Sequence, residues 1–96
     1  MQMWLPAPPR LREVTDELLD YIRVTAPVVE AAARARPGDC LDRRAALAAV
    51  EEARQRAEAG PGNGYASAIS FARSLGKAAG DLLHQQRRLQ REEDAR

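Results

Sequence analysis

Several things are scarce in this sequence, and each scarcity excludes something. There is one cysteine, Cys40, so no disulfide can close within the chain. A reducing compartment, the cytoplasm, is the expectation. With Cys40 and a single histidine, His84, no Cys-x-x-Cys or His-x-x-x-His spacing can build a zinc site. A di-iron bundle needs two Glu-x-x-His pairs, and one histidine cannot supply them. No metal and no cofactor are therefore expected. No stretch approaches the roughly 18 uninterrupted apolar residues of a membrane-spanning helix, and Met1 to Pro9 lacks the basic-then-apolar order of a secretory signal. Excess charge of one sign is also missing: 15 basic and 14 acidic side chains leave a net +1. That balance argues against a polybasic surface for nucleic acid or membrane.

Large apolar residues are few. Leu, Ile, Val and Phe together make up 18 of 96 residues. A share below roughly 20% accompanies disorder when net charge is high. Here the charge is near zero and helical periodicity is clear, so a folded chain with a thin core is expected. Such a core leaves little surplus for a lone monomer, which makes self-association an expectation from the outset.

What the chain has in quantity is helical pattern. Tyr65 to about Glu92 contains no proline, and Ala68, Ala72, Leu75, Ala79, Leu82, Gln86 and Leu89 recur at alternating spacings of four and three. That rhythm puts all seven on one helical stripe, with Ile69, Phe71, Gly76 and Leu83 beside it. Arg10 to Ala35 reads as a first helix on Leu11, Val14, Leu18, Tyr21, Thr25, Val28 and Ala32, flanked by Leu19, Ile22 and Val29. Pro27 cannot donate to the Arg23 carbonyl, which predicts a kink near Thr25–Pro27 or two shorter helices. Arg36-Pro37-Gly38 is a stop signal. Asp39 then reads as the cap of a second helix, about Cys40 to Ala59, with Leu41, Ala45, Leu47, Ala48, Val50, Ala53 and Ala57 as its apolar face.

Gly60-Pro61-Gly62-Asn63-Gly64 is the clearest loop, with Gly60 ending one helix and Asn63 capping the next. It lacks the Gly-Lys-Ser/Thr continuation and preceding strand of a phosphate cradle, so it reads as a tight turn. The predicted fold is all-α: an up-down-up three-helix bundle over 10–92, kinked at Pro27. An extended proline-rich segment (1–9) precedes it and a frayed tail (93–96) follows. At 1.5 Å per residue the first and third helices measure about 37 and 42 Å and the second about 30 Å. The last helix thus outreaches the second, and Leu82, Leu83 and Leu89 are expected to lie where the second helix gives less cover. This points to completion of the bundle by dimerisation, or to a larger protein partner. Leu75, Gly76, Ala79, Leu82, Leu83 and Leu89 are the interface candidates. Gly76 and Gly80, a small-x-x-x-small pair, suggest close approach by another helix. Trp4 is the remaining candidate, either folded back onto the bundle or contacting a partner.

From Ala45 to His84 the chain resembles a known group. The residues are Ala45-Ala46-Leu47-Ala48-Ala49-Val50-Glu51-Glu52-Ala53-Arg54, Arg56, the Gly60–Gly64 turn, Ala68, Ala72-Arg73-Ser74-Leu75 and Leu82 to His84. They are similar to small actinobacterial, Streptomyces-type helical proteins of a domain family of unknown function, labelled natural-product biosynthesis proteins. The resemblance implies a genomic neighbourhood rather than a reaction, and it carries no catalytic residue. The GC-rich look of 14 arginines against one lysine agrees with that source.

Catalytic constellations are thin. Ser67, Ser70 and Ser74 share helical spacing and could line one polar groove, but His84 lies more than two turns from Ser74. Asp81 and His84 are three residues apart. Cys40 lies near the start of the second helix, where a thiolate is favoured, although a buried inert thiol fits as well. Leu11-Arg12 with Asp16 and Asp20 faintly resembles the opening of helical chorismate mutases, three-helix chains that intertwine as dimers. Those need a lysine in the first helix, and the sole Lys77 here is in the third. Arg12, Arg23 and Arg34, at eleven-residue spacing, are what supports a second hypothesis: a small helical enzyme or ligand binder with an Arg-lined face. Arg87-Arg88 and Arg91 could touch nucleic acid, but Glu92-Glu93-Asp94 follows at once and suggests self-pairing. The leading reading is a non-enzymatic helical interaction module.

Overall fold

A computed structural model describes residues 5–94. Among them are three α-helices and no strand: α1 (Pro8–Arg34), α2 (Leu41–Ala59) and α3 (Tyr65–Asp94). Each helix packs against the other two, in a body of 46 × 27 × 21 Å. Two short connections reverse the chain twice, so α1 and α3 run side by side in the same direction with α2 antiparallel to both. Contacts at both ends agree. Tyr65, the first residue of α3, bonds to Pro6 just before α1. At the other end Arg36, just after α1, bonds to Leu89 near the end of α3.

α1 begins two residues earlier than its periodicity indicates, at Pro8 and Pro9. Proline suits this place, because the first helical N–H groups have no partner inside the helix. The helix then runs unbroken through Pro27, so two shorter helices do not form. Pro27 sits on the exposed side, where water can reach the carbonyl that its missing N–H leaves free. α2 is entered through Cys40 rather than Asp39: Cys40 is extended (φ −72°, ψ 125°), and its carbonyl receives the Arg44 N–H. Gly60 ends α2 with φ 74° and ψ 171°, a backbone open to glycine but strained for other residues. Gly64, at φ 91°, takes the capping place expected for Asn63, its carbonyl accepting the Ala68 N–H. α3 continues past Glu92 to Asp94.

The core runs the length of the bundle, with Val29, Val50, Leu75 and Leu82 its largest fully buried side chains. The α3 stripe starts half-buried at Ala68 and Ala72 and runs onto the core at Leu75, Ala79, Leu82 and Leu89, with Gln86 half-buried. The α1 stripe runs off it. A strict four–three rhythm averages 3.5 residues per turn and slips about 20° per heptad around a real helix. Over the three heptads from Leu11 to Ala32 the slip reaches about 60°. The buried set therefore moves on by one residue, to Ile22, Ala26, Val29 and Ala33, leaving Val28 and Ala32 exposed. In α2 the buried residues are Ala46, Val50 and Ala53, while Leu41, Ala45 and Ala48 face out.

The far end of α3 is not bare. Leu82 and Leu89 are inside the bundle, at 0% and 2% exposure. The cover there comes from α1 as well as α2. α1 lies parallel to α3 over this stretch, and Val29, Ala33 and Arg36 join the same buried end of the molecule. Gly76 and Gly80 correct in the opposite direction. Both are exposed, and a Cβ added at either would meet nothing within 4 Å, so no helix of this chain packs closely on them.

Candidate functional site

A cluster of charged side chains lies at the end of the bundle where α1 stops, α2 starts and α3 finishes. Arg36 is only 9% exposed. Its guanidinium donates to the Leu89 carbonyl and pairs with Glu92 at 3.1 Å. Arg43 donates to the Arg34 and Arg36 carbonyls at 3.2 and 2.9 Å, closing the end of α1. Arg88 pairs with Asp42 at 2.8 Å, tying α3 to α2. One ligand atom from each of Cys40, Asp42 and Glu92 lies within 4.8 Å of the other two. Both carboxylates already face guanidinium groups, and a lone thiol with two arginine-paired acids is a poor donor set for any one metal. The cluster is a structural clamp. Arg36 was hidden in the sequence because Arg-Pro-Gly reads as punctuation, and its buried role needs the far end of α3 to be visible.

The three arginines expected to share a face do not converge. Arg23 pairs with Asp20 at 3.1 Å and Arg34 with Glu30 at 3.6 Å, each within its own helix and exposed. Eleven residues of helix separate successive members by about 16 Å, too far for two of them to hold one small dianion. Glu30 also receives Arg54 of α2, at 3.0 Å. The Arg54 hydrogen bond, with the charges of Arg54 and Arg34, holds the Glu30 carboxyl below its ordinary value. Asp81 pairs with Lys77 at 2.9 Å rather than with His84, which is exposed.

Among the surface recesses, one of about 510 Å³ lies along the Glu30–Arg34–Arg54 pairs, and three others touch the remaining candidates. Ser67, Ser70 and Ser74 line one groove, of about 510 Å³, together with Arg56, but Ala59, Pro61, Ala66 and Phe71 line it too, and its wall is more apolar than polar. Arg56 donates to the Ser74 hydroxyl at 2.9 Å and pairs with Glu52 at 2.6 Å, and no histidine lines that groove. A cleft of about 530 Å³ opens between the starts of α1 and α3, walled mainly by Leu11, Leu19, Ala68 and Phe71. Arg12 and Asp16 border it, and the Thr15 hydroxyl on its wall donates back to the Leu11 carbonyl at 2.8 Å. A groove of about 300 Å³ follows the α1–α3 seam past Val28, Ala32, Ala35, Gln86 and Gln90.

The interface candidates divide accordingly. Leu75, Ala79, Leu82 and Leu89 are buried within the single chain and belong to its core. Gly76 and Leu83 are exposed, Leu83 at 37%. Trp4 lies outside the described residues. Two exposed valines that the α1 stripe did not single out as surface features, Val24 at 69% and Val28 at 51%, stand one turn apart on α1. Among the described residues no helix is long and apolar enough to cross a membrane.

No curated protein and no solved structure matches the chain. The sequence model of a family described only as a family of unknown function, DUF6415, matches residues 2–91. With nearly the whole helical bundle inside that match, the chain belongs to the DUF6415 family.

Proposed function

We propose that this protein is a non-enzymatic helical interaction module that pairs with a second copy of itself through the α1–α3 seam. The observation that carries the reading is that three of its exposed large apolar residues, Val24, Val28 and Leu83, flank one seam, while Leu5, Leu41 and Tyr65 stand apart from it. Val24 and Val28 continue through Ala32 and Ala35 along one side of α1. Leu83 precedes Gln86 and Gln90 by one and two turns on the α3 side of the same seam. The single charged residue lining that groove, Arg36, is turned inward onto Leu89 and Glu92. An apolar strip free of outward charge, bordered by amides, suits a helix–helix contact, and a two-fold axis would set the strip against itself. The interface expected at Leu82 and Leu89 moves with this reading to the outer surface of α1. A larger protein presenting an apolar helix would use the same strip.

The resemblance of Ala45–His84 to natural-product biosynthesis proteins of actinobacteria supports an accessory role in such a pathway, and the lone cysteine supports a cytoplasmic setting. The alternative of a small enzyme or ligand binder on the arginine face has less behind it, since Arg23 and Arg34 are engaged by carboxylates of their own helix. Sedimentation velocity at micromolar concentration tests the proposal. The parent chain should sediment as a dimer and a Val24→Glu, Val28→Glu variant as a folded monomer. A parent that stays monomeric throughout that range overturns the self-pairing.

A further inference from the structure

The geometry points to one orientation for the paired copies: they lie parallel, with α1 of each along α3 of the other and Glu17 of each against the partner's Arg73. This rests on the reading that the seam is where two copies meet, and adds which way round they meet.

Glu17 stands on the line of the apolar strip. It lies 7, 11 and 18 residues before Val24, Val28 and Ala35, and these intervals are close to whole numbers of helical turns, about 2, 3 and 5. On α3, Arg73 and Arg91 are 18 residues apart and so share one side of the helix. That side borders Leu83 on the flank away from Gln86 and Gln90. All three charged residues are exposed. Their neighbours are matched within their own helices, Arg10 with Glu13, Asp20 with Arg23 and Lys77 with Asp81. Glu17, Arg73 and Arg91 have no ion-pair partner among the described residues.

The register of α1 against α3 sets the heights. Arg36 bonds to Leu89, 53 positions on. By that offset Glu17 lies within about one turn of the height of Arg73, and Leu83 lies near the height of Val28, at the middle of the strip. Two copies meeting face to face across a two-fold axis have two arrangements open to them. With the axis across the helices the copies are antiparallel, and α3 meets α3. Arg73 is ten residues before Leu83 and Arg91 eight after it, so this arrangement, centred on the strip, sets Arg73 of each copy against the partner's Arg91. With the axis along the helices the copies are parallel, and Glu17 of each copy meets the partner's Arg73. Like charges set together disfavour the first arrangement, and opposite charges favour the second. Long side chains make the contact at that height, so no backbone has to approach Gly76.

Sedimentation equilibrium of Glu17→Arg and Arg73→Glu, each alone and mixed one to one, tests the orientation. Each variant alone should dimerise about tenfold more weakly than the parent, since two exposed pairs have changed from attraction to repulsion. The mixture should recover the parent's affinity, because both mixed contacts again join opposite charges. A distance between spin labels gives an answer that needs no change of charge. On Ala66→Cys in a Cys40→Ser background, the labels of a parallel dimer lie at the same end of the bundle, whereas those of an antiparallel dimer are separated by a distance near its 46 Å length. Tighter pairing of Arg73→Glu alone, or labels that far apart, shows antiparallel copies and overturns the proposal while self-pairing stands. So does a parent dimer whose affinity neither variant changes. A parent that stays monomeric overturns both the self-pairing and its orientation. Should either charge variant lose its helical circular dichroism, the label distance decides.

Discussion

Arg36 and Leu89 stand 53 positions apart in sequence, yet the Arg36 guanidinium donates to the Leu89 carbonyl in the buried end of the bundle. The same guanidinium reaches Glu92. A buried arginine is costly unless its donors are met, and here one helix carbonyl and one carboxylate meet them. The carbonyl matters more, because Glu92 is partly in water. Arg36→Met keeps the apolar stem and removes the donors. It should lower stability by about 2 kcal/mol, the loss of charge-assisted bonds, or roughly 8–16 °C in a domain of this size. Glu92→Gln should cost under about 1 kcal/mol, as for a pair open to solvent. Urea and thermal melts of the two variants check this, and equal losses would contradict the ranking.

The exposed glycines of α3 give the opposite sign. Nothing lies within 4 Å of a Cβ placed at Gly76 or Gly80, and glycine in a helix interior costs about 1 kcal/mol relative to alanine. Gly76→Ala and Gly80→Ala should each raise the melting temperature and the double variant should raise it further. A fall in either would show that a second chain packs on that face.

Glu30 links α1 to Arg54 of α2, and its carboxyl is held below the ordinary value of 4.5, first by the Arg54 hydrogen bond. A carboxyl depressed in the folded state contributes its stability in full above the unfolded value and loses it as pH falls through the folded one. The parent chain should therefore shed this contribution only below pH 4.5. Glu30→Gln should lack it at neutral pH and show a flatter decline on acidification. Melting temperatures followed from neutral pH down to about pH 3 would contradict the link if both chains fell in parallel.

Element number, order and approximate bounds were legible because Pro, Gly and helical periodicity are local signals. The α3 stripe was legible too, since its buried residues, from Phe71 through Leu75 and Leu82 to Leu89, stay close to the expected line. The α1 face shifts by one residue toward its end because its 3.5-residue rhythm starts on the core line at Leu11 and drifts off it, whereas the α3 rhythm starts half-buried at Ala68 and drifts onto the core. Val28 and Ala32 were thereby assigned to the core, and the outer strip that carries the functional proposal was hidden. Arg36 was illegible for another reason. Its burial depends on where α3 ends relative to α1, which neither segment encodes alone. The same holds for Leu82 and Leu89, whose cover comes from α1.

Leu82 and Leu83 are neighbours in sequence with opposite fates. Leu82 is fully enclosed and Leu83 is 37% exposed at the side of α3. Truncating an enclosed leucine loses its transfer energy and leaves a cavity, about 2–5 kcal/mol together, whereas a half-exposed one away from such a feature usually stays within about 0.5 kcal/mol. Leu82→Ala should therefore bring a chain with so thin a core close to unfolding, while Leu83→Ala should melt near the parent. The contrast also separates core from interface. If the seam is where two copies meet, Leu83→Ala should weaken the dimer in sedimentation without changing the melting temperature measured at a concentration where the parent is monomeric. Equal destabilisation by the two truncations under that monomeric condition would mean that Leu83 serves the fold of the single chain, and the seam would lose one of its three large apolar residues.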